Sequence, residues 1–422
     1  MNNSDHLIRV GGVGTGRIFQ WAHLQIYPQL LGKARLVGFF DQQPARAKTA
    51  RDKYVQLLEE YAQAHPDSAE AVNANQAELR CYDSLDALLD AVDVVDICTT
   101  TRGKIPTAIR ALEKGVHSMI EKPMARTWLE ADRASQAFAQ KPHIYCQLND
   151  DNVFDPKYRV LHDILQQDKI GNVQSMWLIR GSTLDATSVL KSQASAVENG
   201  GGCLMDYGSH GLAAAWYVLG KRLVPTKVDA VKIAVNFPHR VLEGDPVMIE
   251  VDDDAHVKIL FEDPQSGSWT TIFLEATWSG GEIGESREKR GGQGNGYLWL
   301  VGDNGMIDAS ESDRITITGW DGGQTVVPLR QYPGERISFM EEIEGFIDAV
   351  VEAKPPEIDV HYGAEVIAVC GAAYLSAIRK SAVSLEAFKA ESRAYLGKYD
   401  NYQLAEEALL ADLLAPYRRK SS

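Results

Sequence analysis

The first 150 residues alternate between short apolar runs and longer helical patterns. Leu7 to Val13 and Ala34 to Phe40 are strand-like, and Ile18 to Leu31, between them, suits a helix. Ala45 to His65 suits a second, longer helix. Further strands are expected at 92–98, 116–120 and 143–147, with helices at 105–114 and 127–140. This alternation predicts a doubly wound parallel sheet with right-handed crossover helices.

The pattern changes after Asn152. Helices are predicted over Tyr158–Gln167 and Gly208–Leu219, whereas Val228 to Val327 consists mainly of strand-like runs between Gly-, Asp- and Ser-rich turns. Such a stretch favours a large, mostly antiparallel sheet covered by helices on one face. The expected organisation is an α/β domain over 1–150 with a surface insertion at 66–76, an α+β domain over 151–386 that ends in helices at 339–351 and 364–379, and a helical extension over 387–422.

The composition excludes several classes of protein. The formal charge is 43 − 58 = −15 over 422 residues, whereas proteins that bind nucleic-acid backbones normally have a basic face. The five cysteines are scattered and form no Cys-x-x-Cys pair, as is typical of thiols in a reducing compartment. The amino terminus does not resemble a secretory signal, and apolar windows such as Leu212–Leu219 are shorter than a membrane span. We expect a cytoplasmic protein without nucleic-acid or membrane partners.

A glycine-rich loop, Gly14-Thr15-Gly16-Arg17-Ile18-Phe19, follows the first predicted strand. Gly14 suits a tight turn, and Gly16 would let a pyrophosphate approach the backbone N–H groups. Phe19 occupies the third position of G-x-G-x-x-G, and a turn without ligand is the alternative. Asp41, at the end of the second strand, can accept hydrogen bonds from an adenosine ribose and would repel a 2′-phosphate. The combination favours NAD over NADP, although Asp41 alone could be an ordinary turn residue.

Two later motifs suggest acid–base chemistry. Glu121-Lys122-Pro123 ends a predicted strand, where the lysine could stabilise a developing alkoxide or simply be solvated. Asp206 and His210 follow a run of three glycines and lie four residues apart, so on a helix they share a face. Aspartate beside histidine is a common proton-transfer arrangement, and a structural histidine is the alternative. A metal site is not expected because no third and fourth ligands accompany the pair.

These motifs together resemble the Gfo/Idh/MocA oxidoreductases, which act on sugars, polyols and related compounds with NAD(P). The resemblance spans about residues 7–386 and includes Val251-Asp252-Asp253-Asp254-Ala255-His256. It implies Lys122, Asp206 and His210 as catalytic residues. It further implies that Gly14, Thr15, Gly16, Arg17, Ile18, Asp41, Thr99, Thr100, Glu121 and Lys122 contact the cofactor, with Thr99 and Thr100 near the nicotinamide side.

Three positions depart from the family's pattern. Phe19 replaces a small residue, which could shift the first helix, and Thr100 stands where the family commonly has proline. The usual N-x-R-F-x-P reads Asp151-Asn152-Val153-Phe154-Asp155-Pro156 and lacks the arginine, so substrate recognition is expected to differ. The candidate substrate-binding residues are Asn149, Asp151, Asp206 and His210, with Gln147 and Asp150 nearby; a polar strand-end loop is the alternative for the group around 149.

The leading functional prediction is an NAD-dependent dehydrogenase that oxidises a secondary alcohol of a sugar, polyol or glycoside, with no metal cofactor. In it, His210 accepts the proton, Lys122 holds the substrate oxygen and Asp206 orients His210. The alternatives are an NAD-dependent glycoside hydrolase that uses transient oxidation and elimination, and a non-catalytic NAD-binding sensor or co-regulator. The resemblance also implies a homodimer or homotetramer built on an open sheet face.

Overall fold

The computed structural model describes residues 7–181, 191–278, 295–329 and 336–417. These residues form two compact units that are not consecutive along the chain. The first unit comprises 1–124, 132–151 and 334–363, and the second comprises 125–131, 152–333 and 364–422. This division differs from the consecutive segments 1–150, 151–386 and 387–422, because residues 334–363 pack with the amino-terminal part and the tail packs with the second unit.

The first unit is built on a parallel sheet, as predicted. Within the described residues its six strands are β1 (Ile8–Val13), β2 (Ala34–Phe40), β3 (Arg80–Cys81), β4 (Val94–Ile97), β5 (His117–Glu121) and β6 (Cys146–Asn149). Their order is β3-β2-β1-β4-β5-β6, and every neighbouring pair is parallel. The order reverses at β1, so the carboxyl ends of β1 and β4 border the crevice in which such sheets bind ligands.

Two sequence predictions in this unit are wrong. Instead of one helix over 18–31, the chain forms a short α-helix, Arg17–Trp21, and the 3-10 turns His23–Gln25 and Tyr27–Leu30. Pro28 cannot donate the backbone hydrogen bond that a regular helix requires there. The segment 66–76 is not a surface insertion, because it contains the helix Ala69–Glu78, whose Asn75 is buried and donates to Leu36 O at 2.9 Å.

Other helices complete the first unit. They are Pro44–Ala64, Leu85–Leu89, Thr101–Lys114 and Ile337–Val351, while Trp128–Ala139 and Val360–Arg379 each run from one unit into the other. The helix Ile337–Val351 buries Phe339, Ile343 and Phe346 in the same hydrophobic cluster as Val10 and Leu36. Residues from the last third of the sequence therefore complete the core beneath the parallel sheet.

The second unit contains a large, mostly antiparallel sheet, as predicted. Its nine described strands are β7 (Val173–Gly181), β8 (Val224–Ala234), β11 (Asp254–Glu262), β12 (Trp269–Thr277), β13 (Asn295–Gly302), β14 (Gly305–Asp308), β15 (Arg314–Gly319), β16 (Gln324–Pro328) and β17 (Val383–Ser384). Strands β9 (His239–Leu242) and β10 (Asp245–Met248) form a separate hairpin. β7, which the sequence does not predict, lies at the centre and pairs in parallel with β12 and antiparallel with β13.

The second unit also contains helices. They include Pro156–Gln166, Ala196–Asn199, Ser209–Leu219, Leu385–Arg393 and Tyr402–Leu414. The helix Ser209–Leu219 approaches β7 and β12 closely at Gly211, where a Cβ would lie 3.0 Å from Leu178 and 3.3 Å from Leu274. This short distance brings the start of that helix, and with it His210, onto the centre of the sheet.

The helix Val360–Arg379 is long enough to cross a membrane, with a mean hydropathy of 1.2. In length and composition it exceeds the short apolar windows expected from the sequence. However, 72% of this window is buried inside the protein, as in the core helices of globular proteins.

Candidate functional site

The glycine loop at the end of β1 has the tight geometry expected for Gly14. Its φ is +78°, and a Cβ at this position would lie 2.6 Å from the backbone N of Thr99. Gly14 N–H donates to Phe40 O at 2.9 Å, which ties the loop to the end of β2. Gly16, in contrast, has nothing within 4 Å of its Cβ position. The loop is therefore packed on one side at Gly14 and open at Gly16, as a phosphate group requires.

Asp41 supports this loop directly. Its Oδ2 accepts the backbone N–H of Thr15 at 2.9 Å, and its Oδ1 accepts that of Gln43 at 2.8 Å. Thr15 is fully buried, whereas Arg46 on the following helix is exposed. The structure thus brings together the predicted residues Gly14, Thr15 and Asp41, with a carboxylate at the end of β2.

Phe19 fits without displacing the loop, because the chain compensates at Gly12. A Cβ at Gly12 would overlap the ring of Phe19, which is fully buried. The same ring packs edge-on against Phe39 of β2, with 6.4 Å between the ring centroids. The close packing that a third glycine usually gives at position 19 is supplied here by a glycine in the strand.

Thr99 and Thr100 follow β4 and lead into the helix Thr101–Lys114. Thr100 caps this helix with φ −58° and ψ 155°, a backbone conformation that proline would also adopt. Its replacement of the usual proline therefore leaves the backbone geometry unchanged. The side chain of Thr99 donates to Thr100 O at 3.1 Å and lies against Gly103. Thr99 flanks the loop that contains Gly14, and Thr100 follows it in sequence.

Glu121 ends β5, and Lys122 is held by the neighbouring strand. Lys122 N–H donates to Asn149 O at 3.0 Å. The buried ammonium of Lys104 donates to Lys122 O and Pro123 O, both at 2.9 Å. Lys104 was not predicted to take part, because an isolated lysine in a helical pattern gives no sign of the carbonyl groups that it contacts. It fixes the backbone from which Lys122 projects.

Asn149 lies in β6 beside Glu121 and is fully buried. Its Oδ1 accepts Gln147 Nε2 at 3.0 Å, and the same amide nitrogen lies 3.1 Å from Glu342 O. Asp151 is half-buried at the end of this segment. The structure therefore places Asn149 in a buried polar layer, together with a residue from the helix Ile337–Val351.

A second group of polar side chains lies on this face of the sheet. The two carboxylate oxygens of Asp96 each lie 2.9 Å from His23 Nδ1, and Oδ2 also accepts the hydroxyl of Tyr27 at 2.7 Å. Cys98 Sγ lies 3.5 Å from Asp96 Oδ1. On the other side of the ring, His23 Nε2 lies 3.6 Å from Glu121 Oε1. Burial lowers the pKa of His23, but the charges and hydrogen bonds of Asp96 and Cys98 together outweigh it and hold that pKa well above 6.5.

In the second unit, the glycine run is fixed by Asp252. A Cβ at Gly202 would overlap the backbone of Asp252, whose carboxylate accepts Gly202 N–H at 2.8 Å and Leu204 N–H at 2.9 Å. The hydroxyl of Tyr374 donates to the same carboxylate at 2.5 Å. Burial raises the pKa of Asp252, and these donors oppose that rise. The segment 251–256, quoted above for its family resemblance, thus anchors the loop that leads to Asp206.

Asp206 lies in a π-helical turn, Leu204–Gly208, and His210 in the first turn of the helix Ser209–Leu219. Both side chains are buried. Asp206 Oδ2 accepts the indole N–H of Trp278 at 3.2 Å. Single π-helical turns inside helices occur often at functional sites. The sequence predicts that Asp206 and His210 share a face of a regular helix, but a wider π-helical turn lies between them. Lys122 belongs to the other unit.

Among the described residues, two groups within single units have donor atoms close enough to hold a metal ion: His23, Asp96 and Cys98, and Asp254, His256 and Glu275. In the first, the donors are bonded to one another, and in the second Asp254 accepts Lys232 Nζ at 2.6 Å. These internal bonds favour hydrogen-bonded clusters over metal centres in both groups. The absence of a metal cofactor stays a prediction.

Comparison with known proteins agrees with this geometry. Residues 8–149 match the GFO_IDH_MocA oxidoreductase family with its NAD-binding Rossmann fold, and residues 158–308 match the GFO/IDH/MocA C-terminal domain. The chain belongs to the Gfo/Idh/MocA family. This Gfo/Idh/MocA protein is thus an NAD-binding oxidoreductase by family.

One curated relative is a UDP-N-acetylglucosamine 3-dehydrogenase of Acidithiobacillus ferrooxidans, which is 34% identical over 139 residues. The match covers 32% of this chain and about a third (35%) of the relative.

Solved structures of similar fold cover much more of the chain. They include an oxidoreductase domain protein from Kribbella flavida (TM-score 0.73, 18% identity, 90% of this chain and 99% of that one). Levoglucosan dehydrogenase in complex with NADH and levoglucosan has a TM-score of 0.69 at 19% identity, again over 90% and 99%. The aldose-aldose oxidoreductase of Caulobacter crescentus, complexed with glycerol, has a TM-score of 0.66 at 20% identity over 90% and 100%. At these identities the likeness concerns the fold alone.

Proposed function

We propose that this protein is an NAD-dependent dehydrogenase that oxidises a secondary alcohol of a sugar, polyol or glycoside. The observation that carries the proposal is the carboxyl edge of the parallel sheet. Gly14 and Asp41 lie at the ends of β1 and β2, and Glu121 with Lys122 at the end of β5. The same edge thus has a phosphate loop, a carboxylate for a ribose and an ammonium group. The sugar-related relatives support the choice of substrate class.

The residues fit the cofactor. The open space at Gly16 suits the pyrophosphate, and the carboxylate of Asp41 suits ribose hydroxyl groups and opposes a 2′-phosphate. The α-helix after the loop has only five residues, so its dipole is small and the N–H groups of the loop matter more. Thr15, Arg17 and Ile18 belong to the same loop. Thr99 lies beside Gly14 of the loop and is followed by Thr100. When bound, NAD accepts the hydride from the substrate carbon.

The proposed mechanism assigns one task to each catalytic side chain. The ammonium of Lys122 holds the substrate oxygen and stabilises negative charge on it. His210 accepts the hydroxyl proton, so that the alcohol becomes a carbonyl as the hydride leaves. Asp206 supports the imidazole and is itself held by the indole N–H of Trp278. Substrate hydroxyl groups are recognised by Asp151 and by the amide of Asn149.

The test is turnover of purified protein with NAD⁺ and a panel of sugars and polyols. His210→Ala and Lys122→Ala should each lower kcat by about 10²–10⁴-fold, the usual contribution of acid–base catalysis, with NAD⁺ affinity retained. His162→Ala, in a half-buried histidine of the same unit as His210, is the control and should keep its activity. Full activity in both catalytic variants would refute the assignment.

The same assay separates the alternatives. Cleavage of a glycoside without net NADH formation would indicate the redox-assisted hydrolase. Binding of NAD to a protein that turns over nothing across the panel, but associates with a partner, would indicate a sensor. Steady NADH formation from a free sugar supports the dehydrogenase.

A further inference from the structure

His23 lies completely buried between two carboxylates that come from different strands. Its Nδ1 is 2.9 Å from both oxygens of Asp96, in β4, and its Nε2 is 3.6 Å from Glu121 Oε1, at the end of β5. Asp96 and Glu121 point to the same face of the sheet, because Asp96 pairs with Met119, two residues before Glu121. The ring therefore bridges the interior of the sheet and its carboxyl edge.

The surroundings of the ring favour its doubly protonated form. Asp96 also accepts the hydroxyl of Tyr27 at 2.7 Å and lies 3.5 Å from Cys98 Sγ, so both of its oxygens are held in place. With Nδ1 donating to Asp96, protonated Nε2 is the nitrogen that faces Glu121. Within the described residues Nε2 has no hydrogen-bond partner, and the Glu121 carboxylate, 3.6 Å away, is its ion-pair partner. An imidazolium here balances part of the negative charge of two buried carboxylates.

A third acidic side chain, Glu342, lies near the ring but makes no hydrogen bond to it. Glu342, on the helix Ile337–Val351, is fully buried, and neither of its carboxylate oxygens has a hydrogen-bond partner in the described part of the chain. Burial raises its pKa well above the usual 4.5, and the nearby charges of Glu121, Asp151 and Asp150 raise it further, against the opposite effect of His23. Burial thus disfavours the charged form of Glu342, and Asp96 and Glu121 are the carboxylates in contact with His23.

We propose that His23 is a positioning residue for Glu121: Asp96 fixes its ring, and its charged Nε2–H orients the Glu121 carboxylate towards the cofactor. The inference rests on the proposed function, in which Glu121 contacts NAD. β1 and β2 hold the adenosine half at Gly14 and Asp41, so the end of β5, on the other side of β1, receives the nicotinamide half. His23 should therefore matter for that half only.

The experiment compares two ligands that share the adenosine half. NAD⁺ and ADP are titrated into the full-length protein and its variants by isothermal calorimetry. His23→Asn and His23→Gln should each weaken NAD⁺ binding about tenfold, because each removes the charge that orients the Glu121 carboxylate, and leave ADP binding unchanged. His117→Asn, in a partly buried histidine at the other end of β5, is the control and should change neither.

A double-variant comparison separates positioning from general support. If His23 acts through Glu121, His23→Asn combined with Glu121→Gln should bind NAD⁺ no more weakly than Glu121→Gln alone. Additive losses, or equal weakening of ADP and NAD⁺, would overturn the proposal in favour of a merely structural histidine.

A measurement on the unmodified protein covers the case in which the His23 variants do not fold. In protein labelled with ¹⁵N-histidine, the chain's ten histidines can be followed by NMR at pH 7.5. One buried imidazole should be doubly protonated, and its Nε2 resonance should move on addition of NAD⁺ but not of ADP. Absence of such a ring, or the same response to both ligands, overturns the proposal. A protein that passes these tests but oxidises no alcohol would refute the dehydrogenase and leave the inference standing.

Discussion

Asp41 forms two backbone hydrogen bonds that shape the glycine loop independently of any ligand. Because Oδ2 accepts Thr15 N–H and Oδ1 accepts Gln43 N–H, the carboxylate is already oriented at the end of β2. A ribose hydroxyl would add to these bonds rather than replace them, since each carboxylate oxygen can accept more than one donor. The residue that we propose selects the cofactor is therefore also the one that holds the loop in place.

This double role predicts the effect of a conservative change. Asp41→Asn keeps an oxygen that can accept Thr15 N–H but removes the charge that opposes a 2′-phosphate. The ratio of NADP⁺ to NAD⁺ dissociation constants should fall by about tenfold, which corresponds to ~1.4 kcal/mol. Fluorescence titration with both cofactors measures this ratio. Asp52→Asn, an exposed aspartate on the next helix, is the control; an unchanged ratio in Asp41→Asn would contradict the assigned role.

Glu342 should make stability depend on pH. Burial raises its pKa in the folded protein above the unfolded value near 4.5, so the folded state binds the proton more tightly. The resulting stabilisation of the folded state is complete below about pH 4.5. It is lost as the pH rises through the raised pKa of Glu342, by up to ~1.4 kcal/mol per pH unit. Glu342→Gln removes the titration. Its unfolding free energy, measured by urea denaturation at pH 5, 7 and 9, should therefore fall less than that of the unmodified protein.

Glu344→Gln is the matched control on the same helix. Glu344 is only partly buried and pairs with Lys33, so this variant should follow the pH dependence of the unmodified protein. Parallel curves for Glu342→Gln and the unmodified protein would show that Glu342 does not titrate in this range.

Local sequence patterns predict those secondary-structure elements that interactions between neighbouring residues determine. The sequence predicts β2 at Ala34–Phe40 to the residue, because an apolar run is bounded by polar residues on both sides. It does not predict β7, whose mixed sequence Val173–Gly181 is a strand because β12 and β13 pair with it from both sides. The 3-10 turns after residue 22 are missed for a similar reason, since Asp96, far along the chain, bonds both His23 and Tyr27.

The residues of the candidate site also fall into two groups, those that short motifs predict and those that only the fold brings to them. Gly14, Asp41, Lys122, Asp206 and His210 belong to short motifs, and the sequence is sufficient to propose them. The groups that hold these residues are distant in sequence: Lys104 contacts the 122–123 carbonyl groups, and Trp278 bonds Asp206. Only the folded sheet brings such pairs together, so no spacing rule could have indicated them.

The tail helix Tyr402–Leu414 is part of the second unit and should contribute to its stability. Leu409 is 3% exposed, whereas Leu404 on the same helix is 49% exposed. Leu409→Ala should lower the unfolding free energy by about 2–5 kcal/mol, and the matched Leu404→Ala by less than about 0.5 kcal/mol. Urea denaturation measures both. Equal effects would mean that the tail does not pack as described.

For the whole molecule, the open face of the large sheet is the proposed interface between subunits. Phe273, Trp177 and Trp299 occupy one row across β12, β7 and β13, and each is more than one-third exposed. The rings of Trp177 and Phe273 stack with centroids 5.1 Å apart. Contiguous exposed aromatic side chains are typical of protein–protein interfaces. We propose that a second copy of the chain covers this row in a homodimer or homotetramer.

Light scattering after gel filtration tests this assembly. The unmodified protein should be a dimer or tetramer at micromolar concentration, and Trp177→Glu should shift it towards the monomer by placing a charge in the contact. Trp320→Glu, at an exposed tryptophan after β15, should leave the mass unchanged. A monomeric unmodified protein would contradict the proposal.

The interrupted path of the chain has a consequence for how the protein is made. The core of the parallel-sheet unit includes Ile343, Phe346 and Ile347, which are synthesised almost 200 residues after β6. A nascent chain that has left the ribosome only as far as Asp151 has all six strands but lacks the helix that covers their core. The core of the nucleotide-binding unit therefore cannot be completed while only this part of the chain has left the ribosome. The core of this unit is completed only after most residues of the second unit have been synthesised.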